Sequence, residues 1–138
     1  MSYPSTQDYV REAVLSATPA RLVTMLYDRL LLDLARAETS QRAQDWPRAS
    51  AHLLHAQDVV TELANSLDVD AWSGGPDLLA LYTYLGRRLI AAHVQRDAEI
   101  TRECSEHLEP LRLAWLAAAE SLAATATPVK EQGIAVVA

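Results

Sequence analysis

Between Pro19 and about Leu122, apolar residues recur every three to four positions in four blocks, separated by short polar or glycine-bearing stretches. This is the period of helices with one buried face. The first block runs from about Pro19 to Gln41, with Thr18 suited to cap it and Pro19 to its first turn. The second starts near Asp45, a capping residue, and carries Ala49, Leu53, Ala56, Val60, Leu63 and Leu67 on one stripe as far as Asp68. "WSGG" then marks a loop. The third block begins at Pro76 or Asp77, aligns Leu78, Leu81, Tyr82, Leu85, Leu89 and Ala92, and ends before Asp97. Asp97 suits the cap of a fourth helix with Ile100, Cys104, Leu108, Leu111, Trp115, Ala118 and Leu122 in line; Pro110 removes one of its hydrogen bonds and predicts a kink. No segment alternates with the period of a strand. Four helices with short links predict an all-α, antiparallel four-helix bundle over residues 18–123. Residues 1–17 form an N-terminal arm or short helix, and 124–138 a flexible C-terminal tail.

The first helix carries more apolar surface than a bundle helix needs. On a wheel of ~100° per residue, Leu22, Val23, Leu26, Tyr27, Leu30, Leu31 and Leu34 fill an arc of about 180°, with Met25 and Leu32 beyond it. A stripe of little more than ~100° is enough to face a core. Either this helix is central and packs on three neighbours, or part of the arc lines a groove that receives a partner segment. Periodicity leaves both open.

Composition narrows the function. The chain has 138 residues and a net charge of −6, so it lacks the basic face of a duplex-nucleic-acid binder. No apolar run approaches the ~20 residues of a membrane span, and the first dozen residues lack the apolar core of a signal peptide. With one cysteine, Cys104, no internal disulfide forms. A cytoplasmic protein without membrane insertion is expected.

Candidate chemistry is sparse. His52 and His55 stand three apart, close enough to share a metal, but no acid completes a ligand set, and the Glu-x-x-His pairs of di-iron bundles are absent. Glu103 and His107 have the spacing of a surface pair. Cys104 lies on the apolar stripe, where cysteine packs as a small hydrophobe. "SGG" at 73–75 lacks the lysine of a phosphate loop. No cofactor, metal or catalytic residue is nominated, and the chain does not read as an enzyme.

Four stretches in register resemble the flagellar secretion chaperone family FliS. They are Tyr9 and Val14 followed by "SATPARLVTMLYD" (16–28), then "AQDVVTELANSLD" (56–68), "LLALYTYLGRRLIAAHVQRD" (78–97) and "LEPLRLAW" (108–115). His93 stands where the family usually has Asn, Asp77 where it has Asn, and Val59 and Val60 where it has isoleucines. The resemblance implies a helical bundle in the cytoplasm that binds the disordered C-terminal segment of flagellin along apolar grooves, prevents early polymerisation and presents the client for flagellar type III export. The export gate and a flagellin-binding regulator are further partners it implies. A helical adaptor for another secretion or regulatory protein is the alternative. Under the chaperone reading, Val23, Tyr27, Leu31 and Leu34 occupy the far part of the first helix's arc and are groove candidates. Val59, Val60 and Leu63 join them from the second helix, and Tyr9 from the arm, as lid or as site. Tyr82 and Trp115 lie on core stripes and read as structural.

Overall fold

A computed structural model describes residues 19–70 and 73–137, with side chains described for 20–70 and 73–121. Four helices follow in order: α1 (Pro19–Arg42), α2 (Trp46–Ser66), α3 (Gly75–Val94) and α4 (Ala98–Val137). They form an up-down-up-down bundle in which α1 packs on α2 and α4, and α3 closes the ring between those two. Among the described residues there is no strand, and no helix is long and apolar enough to cross a membrane. The arm with Tyr9 lies outside the described residues. The fourth helix differs from expectation in length: it continues through Pro110 and past Ala124 to Val137, where the sequence suggests an end. The alanine-rich run Ala117–Ala124 has strong helical propensity and carries the backbone onward.

Capping sets the α1–α2 and α3–α4 turns. The Asp45 carboxylate accepts the Arg48 backbone N–H at 3.4 Å, and Pro47 occupies the first turn of α2. Before it, Gln44 adopts φ 58°, and the Asp45 N–H reaches back to the Ser40 carbonyl at 2.8 Å. The α3–α4 turn repeats this arrangement, with Arg96 at φ 53°, an Asp97 N–H to Ala92 carbonyl bond of 3.1 Å, and the Asp97 carboxylate accepting the Glu99 N–H. Each is a helix terminator built on a left-handed residue, here without glycine.

The core holds Tyr27, Leu30, Leu34, Ala37, Leu53, Ala56, Val60, Leu63, Tyr82, Leu85, Leu89, Cys104 and Leu108, as the stripes predict. One charge is inside with them. Asp33 on α1 is fully buried; its Oδ2 is hydrogen-bonded to His55 Nδ1 on α2, and its Oδ1 lies 3.3 Å from Arg29 Nε. A buried carboxylate needs such partners. Near the α1–α2 turn, Gln41 donates to the Ala92 carbonyl at 3.2 Å and accepts from Thr101 Oγ1 at 2.6 Å, tying α1 to α3 and α4.

The wide arc of α1 resolves into a spine and two flanks. Tyr27, Leu30, Leu34 and Ala37 are completely buried; Val23, Leu26 and Leu31 pack half-buried beside them; Leu32 is exposed. Its central position accounts for the spine, and the flanks keep apolar surface in contact with water.

Candidate functional site

That surplus gathers at one end of the bundle. The start of α1, the end of α2, the start of α3 and the middle of α4 meet there, and Trp115 stands between two cavities. One, of about 180 Å³, is lined by Val23, Leu63, Ser66, Leu67, Asp68, Tyr82 and Trp115. The other, of about 420 Å³, is lined by Leu78, Leu111, Ala114, Trp115 and Ala118. All five residues of the second are apolar. Together the cavities form an apolar cleft across the bundle end, with the half-buried Trp115 indole as shared wall.

The smaller cavity also has polar walls in Ser66 and Asp68, and a polar pair lies at its floor. The Tyr27 and Tyr82 hydroxyls are 2.6 Å apart and hydrogen-bonded across the bundle diagonal, with ring centroids 6.5 Å apart. The Trp115 side chain also hydrogen-bonds to Tyr27. Burial pushes both phenols above the ordinary tyrosine range, so both stay neutral and serve as hydrogen-bonding struts. They hold the indole between α1 and α3.

The loop that closes this end depends on Gly75. A Cβ there would stand 2.1 Å from the Val69 carbonyl oxygen. Only glycine lets the chain leaving α2 pass against the first turn of α3. On the α1–α4 side, Arg112 Nε meets Asp28 Oδ1 at 2.7 Å.

The residues singled out from sequence separate in space. Val23 and Leu63 line the same cavity. Tyr27 lies behind it, fully buried and bonded to its lining residue Tyr82. Leu34, Val59 and Val60 are buried, Leu31 is half-buried at another level of α1, and none of these four lines either cavity. Trp115, Tyr82, Leu67, Leu78, Leu111, Ala114 and Ala118 complete the cleft. Tyr82 and Trp115 read as core from their stripes; the available signal was the apolar run Leu113–Ala119 of α4, which covers more than one stripe.

Little else invites chemistry. Among the described residues, no three His, Cys, Asp or Glu side chains converge as a metal site would require. Cys104 is buried, and burial pushes its thiol up to about 12. On the α3–α4 face, Glu103 accepts from Tyr84 and from Arg88 at 2.8 Å, which holds its carboxyl below the ordinary range.

Comparison with known proteins agrees with this architecture. A solved structure described as a flagellar chaperone from bacteria superposes with a TM-score of 0.70, at 17% identity, covering 86% of this chain and 99% of that one. At that identity the likeness concerns the fold. Three relatives share both sequence and coverage, each named flagellar secretion chaperone FliS. The Bacillus subtilis protein is 29% identical over 82% of this chain and 84% of its own length. The Escherichia coli protein is 32% identical over 77% and 79%. The Salmonella typhimurium protein is 32% identical over 77% and 80%. The model of the family described as flagellar protein FliS matches residues 1–122. With the bundle, the motifs and the relatives in agreement, this chain belongs to the FliS family of flagellar proteins.

Proposed function

We propose that this protein is a cytoplasmic export chaperone that holds the C-terminal segment of flagellin in the apolar cleft around Trp115. There it prevents early polymerisation and keeps the client competent for flagellar type III export, where the export gate and a flagellin-binding regulator meet the loaded complex. The family supplies the flagellar context. The observation that carries the client site is the half-buried Trp115 with a wholly apolar cavity on one side and a largely apolar one, edged by Ser66 and Asp68, on the other.

The energetics favour such a surface. Ordering a disordered chain costs about 1–2 kcal/mol of backbone entropy per residue. Apolar burial returns ~25 cal/mol for each Å² removed from water. A bundle with every apolar side chain enclosed has nothing to offer against that cost. The cleft, with the half-buried Val23 of α1 in its wall, does.

The test is isothermal titration of the full chain with a peptide of flagellin's last ~40 residues, a length set by what a bundle surface spans with helical and extended chain. Val23→Asp and Ala114→Asp place a carboxylate in each cavity and are expected to weaken binding at least about tenfold, about 1.4 kcal/mol. Leu32→Asp, on an exposed position of α1 away from the cleft, is the control and leaves affinity unchanged. Circular dichroism confirms that each variant folds. Equal affinity in all three would remove the cleft from the client site. Capture of flagellin lacking that segment as efficiently as the intact protein would overturn the client assignment.

A further inference from the structure

The rim of the smaller cavity beside Trp115 has a chemistry of its own. Its floor, Leu63 and Tyr82, is closed core. The surface open to a ligand belongs to Val23, Leu67 and Trp115, all half-buried, and to Ser66 and Asp68, both exposed. The side-chain donors around it are engaged. The Tyr82 hydroxyl is bonded to that of Tyr27, the Trp115 side chain is bonded to Tyr27, and the Ser66 hydroxyl donates to the Glu62 carbonyl. What stays open is an acceptor, the Asp68 carboxylate, with the lone pairs of the Ser66 oxygen beside it.

Charge at this end of the molecule points the same way. From residue 49 to residue 86 the chain carries Asp58, Glu62, Asp68, Asp70 and Asp77 and no lysine or arginine. All of these carboxylates are exposed, and none forms an ion pair among the described residues. Elsewhere on the bundle carboxylates do find cations: Asp28 with Arg112, Glu99 with Arg42, Glu103 with Arg88. No basic residue lines either cavity of the cleft, and Asp68 is the acidic residue that does. Its place is fixed from both sides. Leu67 ends α2 in an extended conformation with its N–H on the Ala64 carbonyl, and Val69 packs against Gly75.

A carboxylate at the mouth of an apolar pocket with an indole wall suits one side chain in particular. Arginine has an apolar stem, a flat cation that stacks on an aromatic ring, and a fork of donors fitted to a carboxylate. An aliphatic side chain would desolvate Asp68 and give it no partner.

We propose that this cavity is an arginine pocket within the client site. The arginine stem lies along Val23 and Leu67, and its guanidinium stacks on Trp115 and pairs with Asp68. An apolar client residue three or four positions away, on the same face of a helical turn, enters the wholly apolar cavity across the indole. The proposal rests on the reading of the cleft as the client site and adds what the client sequence must supply there. Val23 borders the stem, so a carboxylate introduced at that position still costs affinity.

The test titrates the full chain with the flagellin C-terminal peptide and with the same peptide carrying glutamine in place of every arginine. The glutamine peptide is expected to bind at least about tenfold more weakly, having lost both the stacked cation and its ion pair. Asp68→Asn is expected to weaken the arginine peptide about threefold or more, to leave the glutamine peptide unchanged, and to matter less at 1 M salt. It keeps the side chain's shape and removes a negative charge from the C-terminal end of α2, so the fold is not at risk. Asp58→Asn, on α2 but lining neither cavity, leaves both affinities as they were. Equal losses in Asp58→Asn and Asp68→Asn would show a diffuse acidic field and overturn the pocket. An arginine peptide indifferent to Asp68→Asn, yet weakened by Val23→Asp and Ala114→Asp, would overturn the pocket and leave the cleft as the client site. Full affinity for a peptide with lysine at the same positions would overturn the assignment to arginine. No binding of the peptide by the parent chain would overturn the reading of the cleft, and the pocket with it.

Discussion

Gly75 and Gly86 make opposite demands on the same helix. A Cβ at Gly75 would fall 2.1 Å from a backbone oxygen, which cannot swing aside as a side chain can; at Gly86 it would meet nothing within 4 Å. Gly75→Ala is therefore expected to lower stability by about 2 kcal/mol or more, because the α2–α3 loop must shift to accept it. Gly86→Ala, inside α3, is expected to raise stability by about 0.5–1 kcal/mol through helix propensity alone. Urea denaturation of the two variants against the parent chain checks both signs. The sequence "WSGG" marks a loop at this point, but not which glycine is indispensable: the atom it must avoid belongs to Val69, six residues away across the turn. Asp33 shows the same limit. Nothing adjacent in the chain marks it for burial, and it is the arrival of His55 from another helix that makes it a buried, paired carboxylate.

At the level of elements, what was legible is local. Asp45, Pro47 and Asp97 set helix starts through bonds within a few residues of themselves, and the structure places the helix boundaries close to those signals. Tyr27 and Tyr82 were legible as positions on stripes, not as partners, because their bond joins helices at opposite corners of the ring. That bond predicts an asymmetric double-mutant cycle. Tyr27→Phe leaves both the Tyr82 hydroxyl and the Trp115 side chain without their shared partner, whereas Tyr82→Phe leaves Tyr27 still bonded to Trp115. Tyr27→Phe is expected to cost about 2 kcal/mol, Tyr82→Phe about 1, and the double variant less than their sum by about 1 kcal/mol. Equilibrium denaturation measures all four corners. An additive result would mean that the hydroxyls do not act on each other. The cleft was half legible for the same reason: Val23 lies on the wide arc that the wheel of α1 identifies and Leu63 on the stripe of α2, but Trp115 becomes a wall only where four helix segments converge.

For the whole molecule, pH reads out how the bundle encloses its titratable groups, and the two directions probe different places. On the alkaline side Cys104, pushed up to about 12, and the phenols of Tyr27 and Tyr82, also raised by burial, keep their protons in the folded state at pH values where the unfolded chain releases them. The unfolded state then binds fewer protons, so stability is complete below the ordinary cysteine value near 9 and falls as pH rises above it. On the acid side Glu103 is held below its ordinary value by the Tyr84 hydroxyl first and by Arg88 second. The folded state resists protonation there, so the stabilisation is present above the ordinary glutamate value of 4.5 and is lost as pH falls through the lower folded value. The urea midpoint is thus expected to be flat near neutrality and to decline on both sides. Cys104→Ala flattens the alkaline limb, because it removes a buried acid from the core; Glu103→Gln flattens the acid limb, because it removes the clamp between α3 and α4. Cys104→Ala should leave the acid limb as it was, whereas Glu103→Gln also eases the alkaline limb, because Glu103 helps raise the Cys104 thiol and is the main cause that raises the Tyr84 phenol. An alkaline limb unchanged in Cys104→Ala would show the thiol ionising as readily in the folded chain as in the unfolded one. The core around Leu108 and Leu85 would then be open to water, and the distinction between a closed bundle and an open apolar cleft at its end would fail.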